Sequence, residues 1–350
     1  MRLQGVDIAR FVAFFGMVLV NFRIAAEVTT QGGWGGANVD AGSVVDWPAL
    51  ITGLTEGRAA ALFVILAGVG FALGNPAWHL TLRRALFLFA VGMADMLIFD
   101  ADILHFYALY FLVGALFIGA SNRVLLLGVA GFVVIGALAQ AMLTYDQGWN
   151  WDTLVYADFW TLTGFLRHTF YNGWHPVFPW AAFVLFGIWL GRQSLSRAPV
   201  QITMLIVGVT VAFVTQWAST LLVELPELGE LLGTTPIPPG VLYMVASAAT
   251  ATAVLGGILL LTPLLTLLRL DQILVAPGRM TLTLYAAHIL IGMGLLESMD
   301  LLSGQLSSFE IFAYSVGFVT CAALFALFWL RKFRRGPLEA LMRIVTEGKT

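Results

Sequence analysis

Apolar runs close to the ~20 residues that a helix needs to cross a hydrocarbon core recur along the whole chain. They do not alternate with a period of two, which excludes a closed transmembrane barrel. Helices are then the remaining way to satisfy every backbone amide in lipid. Composition points the same way. Charged residues make up 11% of the chain and hydrophobic ones 59%, whereas soluble domains carry roughly 25% charged residues to coat a water-facing surface. The expected fold is an all-α polytopic transmembrane helix bundle forming one integral membrane domain over residues 1–350. About ten helices are placed near 6–26, 57–74, 82–99, 103–120, 123–143, 175–191, 200–223, 240–267, 279–297 and 309–330.

Charge fixes an orientation for these spans. Alternate crossings from a cytoplasmic N-terminus put all of the 18 lysines and arginines inside except Arg23, Arg58 and Arg167. The positive-inside rule asks for that bias, so both termini are expected in the cytoplasm, in a bacterial-type inner (plasma) membrane. Arg2 and Arg10 ahead of the apolar stretch 11–22 resemble the start of a signal peptide. Asn21, Arg23 and Glu27 make a poor cleavage region, and the stretch is taken as a retained first helix.

The expected outer loops are longer and acidic. The 27–56 loop carries Asp40, Asp46, Glu56 and the run Gly32-Gly33-Trp34-Gly35-Gly36; the 144–174 loop carries Asp146, Asp152 and Asp158 among Trp149, Trp151, Tyr156 and Trp160. The 224–239 loop carries Glu224, Glu227 and Glu230. Aromatics at this density suggest segments lying in the membrane interface. Gly70-xxx-Gly74 and Gly187-xxx-Gly191 are small-residue pairs suited to close helix packing. The one cysteine, Cys321, rules out an intrachain disulfide and a multi-cysteine metal site. A net charge of −2 names no partner, and neither a metal nor a nucleic acid is expected.

No phosphate-binding loop, dinucleotide fingerprint or hydrolase elbow is present. The residues able to carry chemistry are therefore polar groups where lipid makes them costly. Asp7 and Arg10 are three apart, on one face of the first helix, as a structural ion pair or a functional one. Asn21 and Arg23 close that helix at its outer end, where Glu56, Gly57 and Arg58 open the second. Asp102 and His105 share the same three-residue spacing; the carboxylate either caps the helix or orients the histidine. His175 lies between Trp174 and Pro176, with Pro179 and Trp180 beyond, and is either a base at a rigid helix start or an interface histidine. His288 sits mid-span and must face the bundle or a wet cavity. His79 and His168, both placed in loops, are weaker candidates, and Asp95 is expected to be buried and paired.

Read in order, these sets resemble a known family. Arg2-x-x-Gly5-x-Asp7-x-x-Arg10 with Gly16-Met17-x-x-Val20-Asn21-Phe22 is similar to the opening of the heparan-α-glucosaminide N-acetyltransferase-like and YeiB-like membrane proteins. Gly57-Arg58-Ala59-Ala60, Asp102-Ile103-Leu104-His105, His175-Pro176-x-x-Pro179-Trp180 and Gly278-Arg279-Met280-Thr281-Leu282-Thr283-x-Tyr285-x-x-His288 follow in family order. Gly336-Pro337-Leu338-Glu339 with Arg343 resembles the YeiB side, domain-of-unknown-function family 418. The resemblance divides the chain into an acetyltransferase-like part, about 1–190, and a YeiB-like part, about 191–350.

The resemblance implies a membrane acyltransferase that moves an acyl group, acetyl in the acetyltransferase branch, from cytosolic acyl-CoA to an outer-face or lipid-linked acceptor. That branch uses a histidine in the loop after its first helix; the 27–56 loop has none, and Phe11 replaces the glycine that follows the family's arginine. Candidate catalytic residues are His175, His288, Asp102, His105 and Arg58, with Asp102 as the expected carboxylate partner of His175. Asp7, Arg10, Asn21, Trp174, Trp180, Arg279 and Tyr285 are candidate substrate-binding residues. Arg83, Arg84, Arg123, Arg192, Arg197 and Arg279 are expected to form an inner surface for the donor's phosphates. A small-molecule or ion transporter using Asp7, Arg10, Asp95 and His288 is the alternative, and a non-catalytic membrane scaffold the third reading.

Overall fold

Long stretches such as Asn122–Met142 and Ala198–Leu222 are apolar on every face, and nothing but lipid or other helices can cover such a cylinder. A computed structural model describes residues 3–27, 46–225, 229–302 and 306–348. Arg2, the 32–36 glycine run, Asp40, Glu227 and Lys349 lie outside the described residues.

The chain folds as an all-α polytopic membrane bundle. α1 (Gln4–Glu27) is its most buried span and packs on α3 (Arg58–Gly74), α10 (Val241–Leu267), α11 (Asp271–Gly278) and α14 (Ser308–Lys332). α4 (Trp78–Asp95) pairs with α5 (Leu104–Phe117), α8 (Val177–Gly191) with α3 and α6 (Asn122–Met142), and α9 (Ala198–Leu222) with α10. Short helices complete the fold: α2 (Trp47–Thr55), α7 (Leu162–Arg167), α12 (Thr281–Ala287), α13 (Gly294–Ser298) and α15 (Pro337–Glu347). Every expected span has a helix. Seven stretches, α2 and α3 counted together, are long and apolar enough to cross a membrane, and an eighth is the bent pair Leu162–Asn172 and Val177–Gly191, angled by 49°. The other two fall short by themselves. α4 carries Arg83, Arg84 and Asp95, and α5 has only 14 residues.

Helix ends follow ordinary capping chemistry. Ser121 caps α6, Asp46 caps α2, and Ser307 with Glu310 forms a capping box at α14. Part of the expected 27–56 loop is thus helical. One close crossing joins α3 and α8, where a Cβ on Gly68 would lie 2.2 Å from the Val184 carbonyl oxygen and one on Gly187 2.1 Å from that of Ile65. Gly187 and Gly191 do serve close packing, against Ile65, Gly68, Val69 and Ala72, whereas a Cβ on Gly74 would meet nothing within 4 Å.

The 144–174 segment has a compact fold of its own. It forms a two-strand hairpin, β1 (Trp149–Asn150) and β2 (Val155–Tyr156), then α7 and a π-helical turn, His168–Asn172. Asn172 ties this cap together, donating to the carbonyls of Tyr145 and Gln147 and accepting from the Tyr156 hydroxyl at 2.7 Å. The cap folds Tyr156 and Phe159 inward around His168, which is fully buried rather than in an open loop.

Candidate functional site

Asp102 stands immediately before α5, where the first backbone N–H groups lack helical partners. Its Oδ2 accepts from the His105 amide at 3.1 Å and from His105 Nδ1 at 3.0 Å, so one oxygen both caps the helix and orients the ring. A carboxylate only accepts, which puts the imidazole proton on Nδ1 and leaves Nε2 with its lone pair. His105 Nε2 has no hydrogen-bond partner among the described residues. The pair is fully buried, and Gly92 of α4 leaves room for it: a Cβ there would sit 2.2 Å from the His105 amide nitrogen.

The other Asp102 oxygen accepts from the Tyr285 hydroxyl at 3.1 Å, and that hydroxyl also accepts from the Ile103 amide. One helical turn further on, His288 Nδ1 meets the Tyr285 carbonyl and Nε2 meets Asn21 Nδ2 at 3.0 Å. A carbonyl accepts, so the proton belongs on Nδ1 and Nε2 receives the asparagine amide. Asn21, His288 and Tyr285 thus form a polar bridge through the bundle core. His288 opens a second π-helical stretch, His288–Met293, as His168 opens the first. Such widened turns are rare and often found at functional sites.

A cavity lies at each end of this bridge. The larger, about 360 Å³, is lined by Arg10, Arg84, Arg279, Tyr107, Glu339 and Tyr285, among others. The smaller, about 40 Å³, is lined by Asn21, Gly57, Ala101, Trp174 and His175. The two share no lining residue, so they are separate cavities rather than one tunnel.

In the larger cavity Arg10 holds Asp7 at 2.9 Å, Arg84 holds Glu347 of α15 at 2.8 Å, and Arg279 donates to the Arg334 carbonyl. The six arginines expected on one surface divide. Arg84 and Arg279 line this cavity, whereas Arg83 donates to the Thr346 carbonyl and Arg192 to the carbonyls of Ile118 and Ala120. Arg197 lines a different groove. Tyr107, which the sequence reading passed over, has a buried hydroxyl with no partner among the described residues.

At the smaller cavity the His175 ring packs edge-on against Trp180, 4.6 Å between centroids, and its backbone carbonyl accepts from Tyr110. Asp102 is not its carboxylate partner, because both Asp102 oxygens serve His105 and Tyr285. Arg58 is turned to Gln216 at 3.0 Å, which ties α3 to α9, and among the described residues it has no hydrogen bond or ion pair with Asp102 or His105. His79 is exposed on α4. His168 stacks on His105, centroids 5.8 Å apart, with both ring nitrogens lacking hydrogen-bond partners among the described residues. The expected partner of Asp95 is absent too: its buried Oδ2 has no hydrogen bond among the described residues.

Comparison with known families accounts for these motifs. A family model described as heparan-alpha-glucosaminide N-acetyltransferase, catalytic, matches residues 2–218, well over half of the chain. The chain belongs to that acetyltransferase family. A second model, described as protein of unknown function (DUF418), matches residues 189–349, so the chain is a YeiB-like member related to the acetyltransferases. No curated protein matches it. The bridge spans both matched regions, since Asn21, Asp102 and His105 fall in the first and Tyr285 and His288 in the second.

Proposed function

We propose that this protein transfers an acyl group, acetyl in the simplest case, from an acyl-CoA bound at the basic end to a hydroxyl or amine acceptor at the opposite end. The observation that carries the reading is the bridge Asn21–His288–Tyr285, which runs from the small cavity to the large one. Arg10, Arg84 and Arg279 at the large cavity suit the donor's phosphates, as guanidinium forks favour phosphate oxygens. The unpartnered Tyr107 hydroxyl suits the carbonyl of a thioester. Once the bridge parts and joins the two cavities, His175 takes the proton from the acceptor's O–H or N–H as that atom bonds to the thioester carbonyl carbon. The carbon–sulfur bond then breaks, the thiolate of CoA gains a proton, and the acylated acceptor leaves. The acceptor is a small molecule or a lipid-linked group on the face that carries the acidic loops. Tyr285, through Asp102, keeps His105 in register.

The test is donor binding by the purified protein. Acetyl-CoA should raise its melting temperature, and Arg279→Ala should weaken the apparent Kd by roughly tenfold, the size of one lost charge-assisted contact. No response to any of several acyl-CoAs would overturn the proposal. One observation favours transport instead: two helices are interrupted by π-helical stretches, each starting at a histidine, and broken helices recur at transporter sites. Counterflow of a solute without acyl-CoA turnover in proteoliposomes would select that reading.

A further inference from the structure

A third cavity plays no part in the bridge. It is an apolar groove of about 740 Å³ between α6 and α9, floored by α8 and α10. α6 packs chiefly on α8 and α9 on α10, so the two outer helices stand apart and leave the floor open to the bilayer. They are also the least buried of the apolar spans, with 11% and 22% of their apolar windows inside the protein.

Along α9 the groove runs from Pro199 to Val211. At a rise of ~1.5 Å per residue that is roughly 18 Å, enough to cross one leaflet of about 15 Å, half of a ~30 Å core. Its walls are effectively free of polar groups. The Thr203 and Thr252 hydroxyls, the polar side chains within it, are bonded back to the carbonyls of Pro199 and Ala248 at 2.9 and 2.7 Å. Its polar mouth is at the basic end of the bundle, where Arg197 and Gln193 meet. Arg197 is exposed and has no hydrogen bond or ion pair among the described residues, unlike Arg192 beside it, which is taken up by carbonyls. Gln193 donates its amide to the Trp189 carbonyl at 2.9 Å, leaving Oε1 to accept from a hydroxyl.

We infer that this groove holds one anionic glycerophospholipid, its phosphate on Arg197, a headgroup hydroxyl on Gln193 and an acyl chain along the Pro199–Val211 wall of α9. A cation at the mouth of an apolar trough one leaflet deep selects for an anionic headgroup, and a guanidinium with no protein partner is free to take phosphate oxygens in a fork. Ala248, half-buried on the floor, is the position from which a larger side chain fills the groove without touching Arg197.

Native mass spectrometry tests this on the full chain purified from an equimolar mixture of phosphatidylglycerol and phosphatidylcholine. Wild type should retain one phosphatidylglycerol in preference to phosphatidylcholine. Arg197→Ala should lose that preference by roughly tenfold, and Ala248→Phe should lower retention of both lipids while circular dichroism stays unchanged. Equal retention by all three proteins, or no headgroup preference in wild type, would mean ordinary boundary lipid and overturn the inference. A wild-type dimer without bound lipid that Ala248→Phe converts to monomer would overturn it too, by assigning the groove to a second copy.

Discussion

Asp7 and Arg10 lie three apart on α1, and the consequence of that spacing is a bonded pair whose acid is buried and whose base borders the large cavity. Removing one partner strands a charge, whereas replacing both with apolar residues need not. Asp7→Ala should therefore destabilise by up to about 3 kcal/mol, at the low end of the usual range because Arg10 is 27% exposed. The double variant Asp7→Leu/Arg10→Leu should recover most of the loss in a chemical denaturation series; equal loss in both would refute the pairing argument. Tyr285→Phe makes a second case, since it strips the hydroxyl from both Asp102 and the Ile103 amide. A buried acceptor left unpaired costs roughly 1–3 kcal/mol, and acyl transfer should fall further than that loss of stability explains. Turnover that merely follows the folded fraction would reduce Tyr285 to packing. The Asp102–His105 contact was legible from the sequence because it is local. The Tyr285 contact to Asp102 joins residues 183 apart, and no periodicity signals such a meeting; nor did any pattern mark His168, whose burial depends on a cap that folds from loop-like sequence.

α15 is the element that the sequence reading missed most completely, being too charged for a span and too short to stand alone. It docks through Glu339, whose carboxylate accepts from the amides of Leu282 and Thr283 and from the Thr283 hydroxyl, capping the start of α12 from 56 residues away or more. Glu339→Ala should free α15 and expose the first turn of α12, at the ~1–2 kcal/mol typical of a lost cap; hydrogen exchange of 337–347 reads it. Burial pushes the Glu339 carboxyl above the ordinary value of 4.5. The docked helix therefore binds that proton more tightly than the undocked one. Docking should be strongest below that ordinary value and weaken as pH rises through the raised one. Glu339→Gln keeps an acceptor for both amides and should abolish the pH dependence; an unchanged pH profile would assign it to another group. The long spans α1, α6, α9, α10 and α14 were legible because apolar length alone specifies them. α2 and α7 were not, since each is a single capped segment that tertiary packing holds.

On the scale of the bundle, the basic residues gather at the end that holds the large cavity, with Arg10, Arg84 and Arg279, and the bonded pair Arg23–Glu56 lies at the other. The positive-inside rule assigns the basic end to the cytoplasm. Single cysteines placed beside Asp40, Asp152 and Glu227 should then react with an impermeant thiol reagent from outside the cell, and cysteines beside Arg84 and Arg197 should not. Outside labelling at Arg197 would invert both the orientation and the direction of the proposed transfer. The bridge between the cavities has an electrical consequence. A membrane protein open to both compartments would short-circuit the potential that its host membrane maintains. Here Asn21, His288 and Tyr285 are hydrogen-bonded in a chain where the two cavities end. With the two cavities sharing no lining residue, the resting protein in a vesicle should leave a proton gradient standing.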